Sequence, residues 1–138
     1  MMMHKDQPDF ELELSVRDYE LDLQGIVNNS VYQKYLEHAR HEFLYSRKID
    51  FNQLHKEGKD LLVTRVEIDY KHSLRSHNKF RVTVHVSREG HLKIVFNQKI
   101  LRVPDGKLVV KARVEGVALH QGKLVKPGHI LDMRQLGL

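Results

Sequence analysis

Cysteine and tryptophan are absent from this 138-residue chain, and proline occurs three times. Without cysteine there can be no disulfide framework, no thiolate zinc site and no cysteine nucleophile, so any chemistry must come from oxygen and imidazole groups. No apolar run approaches the length that spans a bilayer. The opening Met1-Met2-Met3-His4-Lys5-Asp6 turns polar too soon for a signal peptide. Export and membrane insertion are therefore not expected, and the reading is a cytoplasmic protein. Aromatic residues make up only 7% and there is no dense Arg/Lys tract, which argues against nucleic acid as a partner despite a net charge of +5. Also missing are a Gly-x-Ser-x-Gly elbow, a phosphate-binding glycine loop and a dinucleotide fingerprint. His38 and His41 are three apart beside Glu42, but no third ligand follows at metal spacing. Neither a metal nor another cofactor is expected.

What is present is ordinary globular composition, 41% hydrophobic and 30% charged, in a length that suits one domain over residues 1–138. Residues 1–8 and 121–138 read as tails that either dock or stay flexible. Phe10, Leu12, Leu14 and Val16 alternate with polar residues, the period of a half-buried strand. Residues 17–29 lose that alternation and carry Asp18, Glu20, Asp22, Gly25 and paired asparagines, which makes them a loop. From Val31 the period becomes helical, with Tyr32, Tyr35, Leu36, Ala39, Phe43 and Leu44 on one face. Ser30 and Gln33 have the spacing of a capping box, and Arg47-Lys48 place positive charge where the helix dipole prefers it. A short second helix is expected between an Asp50 cap and Gly58. Four strands then follow: one alternating from Leu62 to Tyr70, one from Phe80 to Val86, one around Leu92, Ile94 and Phe96 after a turn at Arg88-Glu89-Gly90, and one from about Leu108 to His120 after the Pro104-Asp105-Gly106 turn. Strand, helix and four strands, with no strand-helix alternation, is α+β with an antiparallel sheet of five strands packed on one long helix. One helix cannot cover a long sheet completely, so edge-to-edge self-association is expected.

The chemically informative stretch is Asp22-Leu23-Gln24-Gly25-Ile26-Val27-Asn28-Asn29. It sets a carboxylate and a glycine just before a helix start, where unpaired N–H groups and the positive end of the helix dipole can stabilise a developing oxyanion. The carboxylate can activate water or attack a carbonyl directly. On spacing alone, Asp22 could equally be an Asx-turn residue, Gly25 a residue needing positive φ, and Asn28 and Asn29 loop-holding side chains. Glu37, on the helix, is a second carboxylate, read as a solvated residue or a partner for Arg40 or His41.

Asp-x-x-Gly-Ile-Val followed by Asn-Asn-x-x-Tyr, with Glu37 and Arg40 further along, resembles the 4-hydroxybenzoyl-CoA thioesterase family of hotdog-fold proteins. The likeness is strongest over residues 16–40, and the strand order agrees to about residue 120. It implies a hotdog fold, in which a curved sheet wraps one long central helix, and hydrolysis of an acyl-CoA thioester. By position, Asp22 would be the catalytic aspartate, Gly25 the glycine that lets substrate approach, and Asn29 the residue whose N–H faces the thioester oxygen. Val27, Asn28 and Tyr32 would line the substrate. Arg88, His91 and Lys93, on a basic hairpin, would meet the CoA phosphates, with Arg65, Lys71 and Arg75 as competitors. Asn28-Asn29 is commoner in relatives acting on aliphatic acyl groups. The resemblance also implies a homodimer or homotetramer. An acyl carrier protein as the thiol carrier, or a non-catalytic acyl-CoA-binding role, are the alternatives.

Overall fold

The computed structural model describes residues 7–138, so the expectation for residues 1–6 lies outside the described residues. In chain order the elements are β1 (Phe10–Ser15), a 3₁₀ turn (Asp18–Glu20), α1 (Asn29–Ser46), α2 (Phe51–Lys56), β2 (Lys59–Tyr70), β3 (Lys79–Glu89), β4 (Lys93–Val103), β5 (Leu108–His120) and β6 (Lys123–Val125). Two further 3₁₀ turns, Pro127–His129 and Met133–Leu136, close the chain. The expected α+β architecture, a curled antiparallel sheet with a helix on it, is what forms. The sheet runs in the order β1-β3-β4-β5-β2.

Two expectations about its extent need correction. The sheet has a sixth short strand, because residues 123–125 fold back on the last three residues of β5, beyond the end of its pairing with β4. The tail after it docks: Ile130, Leu131 and Leu136 are buried, and the Arg47 guanidinium at the end of α1 donates to the Gln135 carbonyl at 3.1 Å. The helix start differs as well. Asn28, not Ser30, is the N-cap; its side-chain oxygen accepts the Ser30 N–H at 3.0 Å, and α1 begins at Asn29. Asparagine competes with serine for this place because its side-chain carbonyl also accepts from an orphan first-turn N–H, here two residues earlier in the chain. The Asp50 cap and the Gly58 terminator form as read, with Gly58 at φ +77°.

The core lies between α1 and the inner face of the sheet. Tyr35, Leu36, Ala39 and Phe43 meet alternate residues of the middle strands such as Val82, Val84, Ile100 and Val110, all buried. The helix packs chiefly on β3 and β1. The far edge of the sheet, β2, is covered only in part: α2 packs on it and the Tyr32 ring meets Tyr70, but the middle of the strand is exposed. Val63, Val66 and Tyr70 are 44%, 41% and 43% exposed although they pair with Gly116, Val114 and Val110, whose side of the sheet faces the core. A bulge between Val63 and Arg65 interrupts the alternation read from the sequence.

One polar residue sits in this apolar layer. Gln98 falls on the buried face of β4, is 1% exposed, accepts a hydrogen bond from the Arg40 guanidinium at 3.0 Å and donates to the Leu36 carbonyl at 3.0 Å. It fastens sheet to helix. Burial lowers the Arg40 pKa, and no carboxylate forms an ion pair with it among the described residues, so the amide oxygen is its chief compensation. Gln98→Leu should therefore cost about 2–3 kcal/mol, the price of removing a hydrogen bond to a buried charge. Adding Arg40→Met should recover part of that loss, because the unpaired charge is then gone; urea unfolding of the two single variants and the double variant measures the coupling.

Candidate active site

The loop between β1 and α1 is a small closed structure. The Asp22 N–H donates to the Ile26 carbonyl at 2.8 Å and the Gly25 N–H to the Asp22 carbonyl at 3.1 Å, so residues 22–26 form a tight turn. Gly25 takes φ +78°, and a β-carbon there would meet nothing within 4 Å. The demand on this residue is conformational, with open space beyond it. Asp22 holds its own turn: Oδ1 accepts the Gln24 N–H at 2.8 Å and, more weakly, the Ile26 N–H at 3.4 Å. No donor reaches its Oδ2 among the described residues. Asp22 is thus an Asx-turn residue with one oxygen uncommitted. Leu23, beside it at the turn, is wholly exposed.

Glu20 braces the loop from the other side. One carboxylate oxygen accepts both the Tyr35 hydroxyl and the Arg17 N–H at 2.7 Å, while its carbonyl accepts the Asn28 N–H at 3.1 Å. Burial first, and then this bond to Glu20, raise the Tyr35 pKa, so its hydroxyl stays a donor. Glu20 also keeps one oxygen without a donor among the described residues, but its other oxygen ties it to Tyr35 and Arg17, whereas Asp22 is bonded only within its own turn, next to Gly25; Asp18 is exposed in the preceding 3₁₀ turn.

Where the loop enters α1, Asn29 is the first helical residue, and its N–H has no acceptor within the chain among the described residues. An 18-residue helix directs its positive dipole end to this place. Val27 and Tyr32 are each only 2% exposed. Tyr32 packs between the rings of Tyr35 and Tyr70, at 6.2 and 5.8 Å.

Residues of the connection between β2 and β3, where the sequence offers only Lys71 and Arg75 as competitors for the CoA phosphates, are what hold this arrangement. Leu74, with no exposed surface, plugs the end of the core. Its carbonyl accepts the Val27 N–H at 2.9 Å, and its N–H donates to the Tyr32 hydroxyl at 2.8 Å. Arg75 bridges Ile26 by backbone pairing. The run of Ser73, Ser76 and Asn78 marks the segment as a turn, but nothing local announces its contact with residues 26–27.

The structure does not bring the hairpin residues to the same place within one chain. β3 runs from Lys79, at the Asp22 end, to Glu89, so Arg88, His91 and Lys93 lie about 30 Å away at the strand rise of an extended sheet. Arg88 and His91 are exposed there, whereas Lys93 pairs with Glu115 at 3.0 Å. Glu37 is exposed on α1. Among the described residues no group of three His, Cys, Asp or Glu side chains could hold a metal ion, and no helix is long and apolar enough to cross a membrane.

Comparison with known proteins gives this geometry a setting. Residues 16–127 match the profile of the Thioesterase-like superfamily. The chain belongs to that superfamily. It is 36% identical over 120 residues to the acyl-acyl carrier protein thioesterase ATL3 of Arabidopsis thaliana, covering 87% of this chain and 62% of that protein. Against the ATL2 enzyme of the same plant the figures are 38% over 109 residues, 79% and 58%. The chain thus spans about six-tenths of the length of these two superfamily relatives. Its fold is similar to that of a 1,4-dihydroxy-2-naphthoyl-CoA thioesterase from Synechocystis, with a TM-score of 0.86 over 93% of this chain and 95% of that one. At 14% identity that likeness concerns the fold alone. The hotdog superfamily expected from the motif is the one found.

In this member of the superfamily the Tyr32 hydroxyl is the acceptor for a buried N–H. Tyr32→Phe orphans the Leu74 amide and should cost about 1–3 kcal/mol. Amide hydrogen exchange at Leu74 and Val27 should quicken by more than at β4 amides if the loss is local to the clamp.

Proposed function

We propose that the protein hydrolyses an acyl thioester to a carboxylic acid and a thiol, with Asp22 as the catalytic carboxylate and the Asn29 N–H as donor to the carbonyl oxygen. The observation that carries this reading is a carboxylate with one free oxygen in the turn leading to a helix whose first N–H is also free. As the carbonyl is attacked, charge builds on its oxygen, where the helix amide and dipole stabilise it. If water attacks, Asp22 takes its proton. If Asp22 attacks, a mixed anhydride forms that water then opens. In both routes the C–S bond breaks and the thiolate leaves without a strong general acid, so the absence of a second ionisable partner for Asp22 is no obstacle. Gly25 gives the turn its shape, and exposed Asn28 lies where the acyl group enters, with Val27 and Tyr32 buried behind it as support.

The motif supports the 4-hydroxybenzoyl-CoA branch of the superfamily and, through Asn28-Asn29, an aliphatic acyl-CoA. A carrier-protein thioester is the second reading, favoured by the names of the two plant relatives.

The site is completed by a second copy. β2 is 12 residues long, pairs with β5 on one side only, and offers Val63, Val66 and Tyr70 on its core-facing side. An edge of that kind is a template for its own twin. Antiparallel pairing of β2 with the partner's β2 reverses the second sheet end for end. The partner's β3–β4 hairpin, with its Arg88 and His91, then comes to the end of the molecule that carries Asp22. This reconciles two residue sets that one chain keeps apart.

Asp22→Asn keeps the turn's acceptor oxygen and removes the base and nucleophile, so a folded variant should lose at least about a hundredfold in kcat on whichever ester the wild type cleaves fastest. Equal rates would remove Asp22 from the mechanism and leave a binding role. Val66→Asp places a charge in the middle of the β2 face and should shift the mass seen by light scattering to that of one chain, with hydrolysis lost at the same dilution. An active monomer would refute the composite site.

A further inference from the structure

From Tyr70 to Arg88 the sequence contains no acidic residue, and its five lysines and arginines, Lys71, Arg75, Lys79, Arg81 and Arg88, equal the net charge of the whole chain, +5. Three of them, Lys71, Arg75 and Lys79, mark the beginning, middle and end of the connection between β2 and β3, with His72 and His77 between. All three are exposed, and none forms an ion pair among the described residues. By contrast, Arg81, Arg102 and Arg113 on the adjoining strands each meet a carboxylate.

The connection is a built feature and not a slack loop. The Arg75 N–H donates to the Asn78 side-chain oxygen at 2.8 Å, and the Asn78 N–H returns to the Arg75 carbonyl at 3.1 Å. Leu74 anchors its middle to the loop that carries Asp22. In getting from the β2 edge back to β3 it passes β5 and β4, three inter-strand spacings, or about 14 Å. The three cations are therefore strung along the rim of the Asp22 end of the fold.

We infer that this strip docks an acidic protein that presents the acyl thioester on a phosphopantetheine arm, that is, an acyl carrier protein. The inference rests on the thioesterase reading of the Asp22 site and names the source of its substrate. A single phosphate is best held by cations that converge, as in a bidentate guanidinium fork. Here the charges are separated along a line, which suits an extended acidic surface and raises the rate of encounter with it. The long arm explains why the strip borders the site and does not enter it: the carrier rests on the rim while the arm alone reaches Asp22.

The test uses the full chain, the triple reversal Lys71→Glu/Arg75→Glu/Lys79→Glu, and a control reversal Lys99→Glu/Lys111→Glu. The control lysines are also exposed and without an ion pair, but face away from the helix on β4 and β5. Binding of a fluorescent apo acyl carrier protein, which lacks the arm, is followed by anisotropy at low salt. Hydrolysis is compared for one acyl group on the carrier protein, on CoA and on N-acetylcysteamine, which has no phosphate. In the triple variant, apo-carrier affinity and kcat/KM for the carrier ester should each fall at least about tenfold, as expected for rim charges that steer association. The N-acetylcysteamine ester should be unaffected, and the control should match wild type. The inference is overturned if wild type does not bind the apo carrier, if triple and control lose alike, if all three esters fall together, or if only the CoA ester falls, which would make the nucleotide the occupant. Carrier binding lost in the triple variant, in a protein that cleaves no ester, would uphold the dock and sink the hydrolase reading. Normal hydrolysis with unchanged carrier binding would do the reverse.

Discussion

Two hydrogen bonds at Leu74 organise the end of the molecule that carries Asp22. Its carbonyl takes the Val27 N–H and its own N–H goes to the Tyr32 hydroxyl. Three segments far apart in sequence meet there: the turn carrying Asp22, the first turns of α1 and the basic connection between β2 and β3. Buried backbone groups outside regular structure must find partners or pay a desolvation penalty of about 1–3 kcal/mol each. A loop that has to hold a carboxylate still is stable here because the Leu74 side chain excludes water from these bonds while its backbone completes them. Glu20 repeats the device on the opposite flank, tying Arg17, Asn28 and Tyr35 to one residue. The turn is rigid without belonging to a helix or a strand.

The same sheet treats its two edges differently. β1 is six residues long and alternates half-buried positions with exposed ones that include Glu11 and Glu13, the short, charged form that discourages further pairing. β2 is twice that length and carries uncharged, exposed Val63 and Val66 on the side facing the core. Because α1 lies over β1 and β3, that half of the inner face is covered only in part among the described residues, by α2 and by the Tyr32 ring against Tyr70. Charge on one edge and apolar exposure on the other make the two edges of the sheet unlike.

Local periodicity made the elements legible. Tyr35, Leu36, Ala39, Phe43 and Leu44 read as one helical face and are buried together, and the alternations from Phe80 to Val86 and across β5 match buried faces. The α+β class followed from those periods, and the superfamily from the stretch between Asp22 and Tyr32. What the periods could not show was depth of burial. The sequence of β2 alternates as that of β3 does, yet Leu62, Val63, Val66 and Tyr70 are exposed and Leu61 and Ile68 only half-buried, because burial depends on where the helix lies and not on the strand's own pattern. Gln98 was invisible for the related reason that an amide on a buried face looks like an exception until Arg40 is found opposite. The choice of Asn28 over Ser30 turned on a two-residue difference that propensity does not resolve. Leu74 was illegible because its partners lie some 40 residues away in the chain, beyond any local signal.

Charge is distributed at the Asp22 end according to whether it is already engaged. The acidic loop and the basic connection are joined by backbone pairing, yet no ion pair links them among the described residues. Glu20 is committed to Tyr35 and Arg17, and one oxygen of Asp22 to its own turn, so the carboxylates are held by neutral donors. The cations Lys71, Arg75 and Lys79 are thereby left unneutralised on the connection that the Asp22 loop bridges through Ile26 and Arg75. Had they paired, the loop would be equally well tied, but an anionic ligand would meet a rim of cancelled charge. Holding acids by amides and hydroxyls keeps the rim positive without loosening the turn, and for that reason a basic strip and an aspartate with an uncommitted oxygen coexist on adjoining loops.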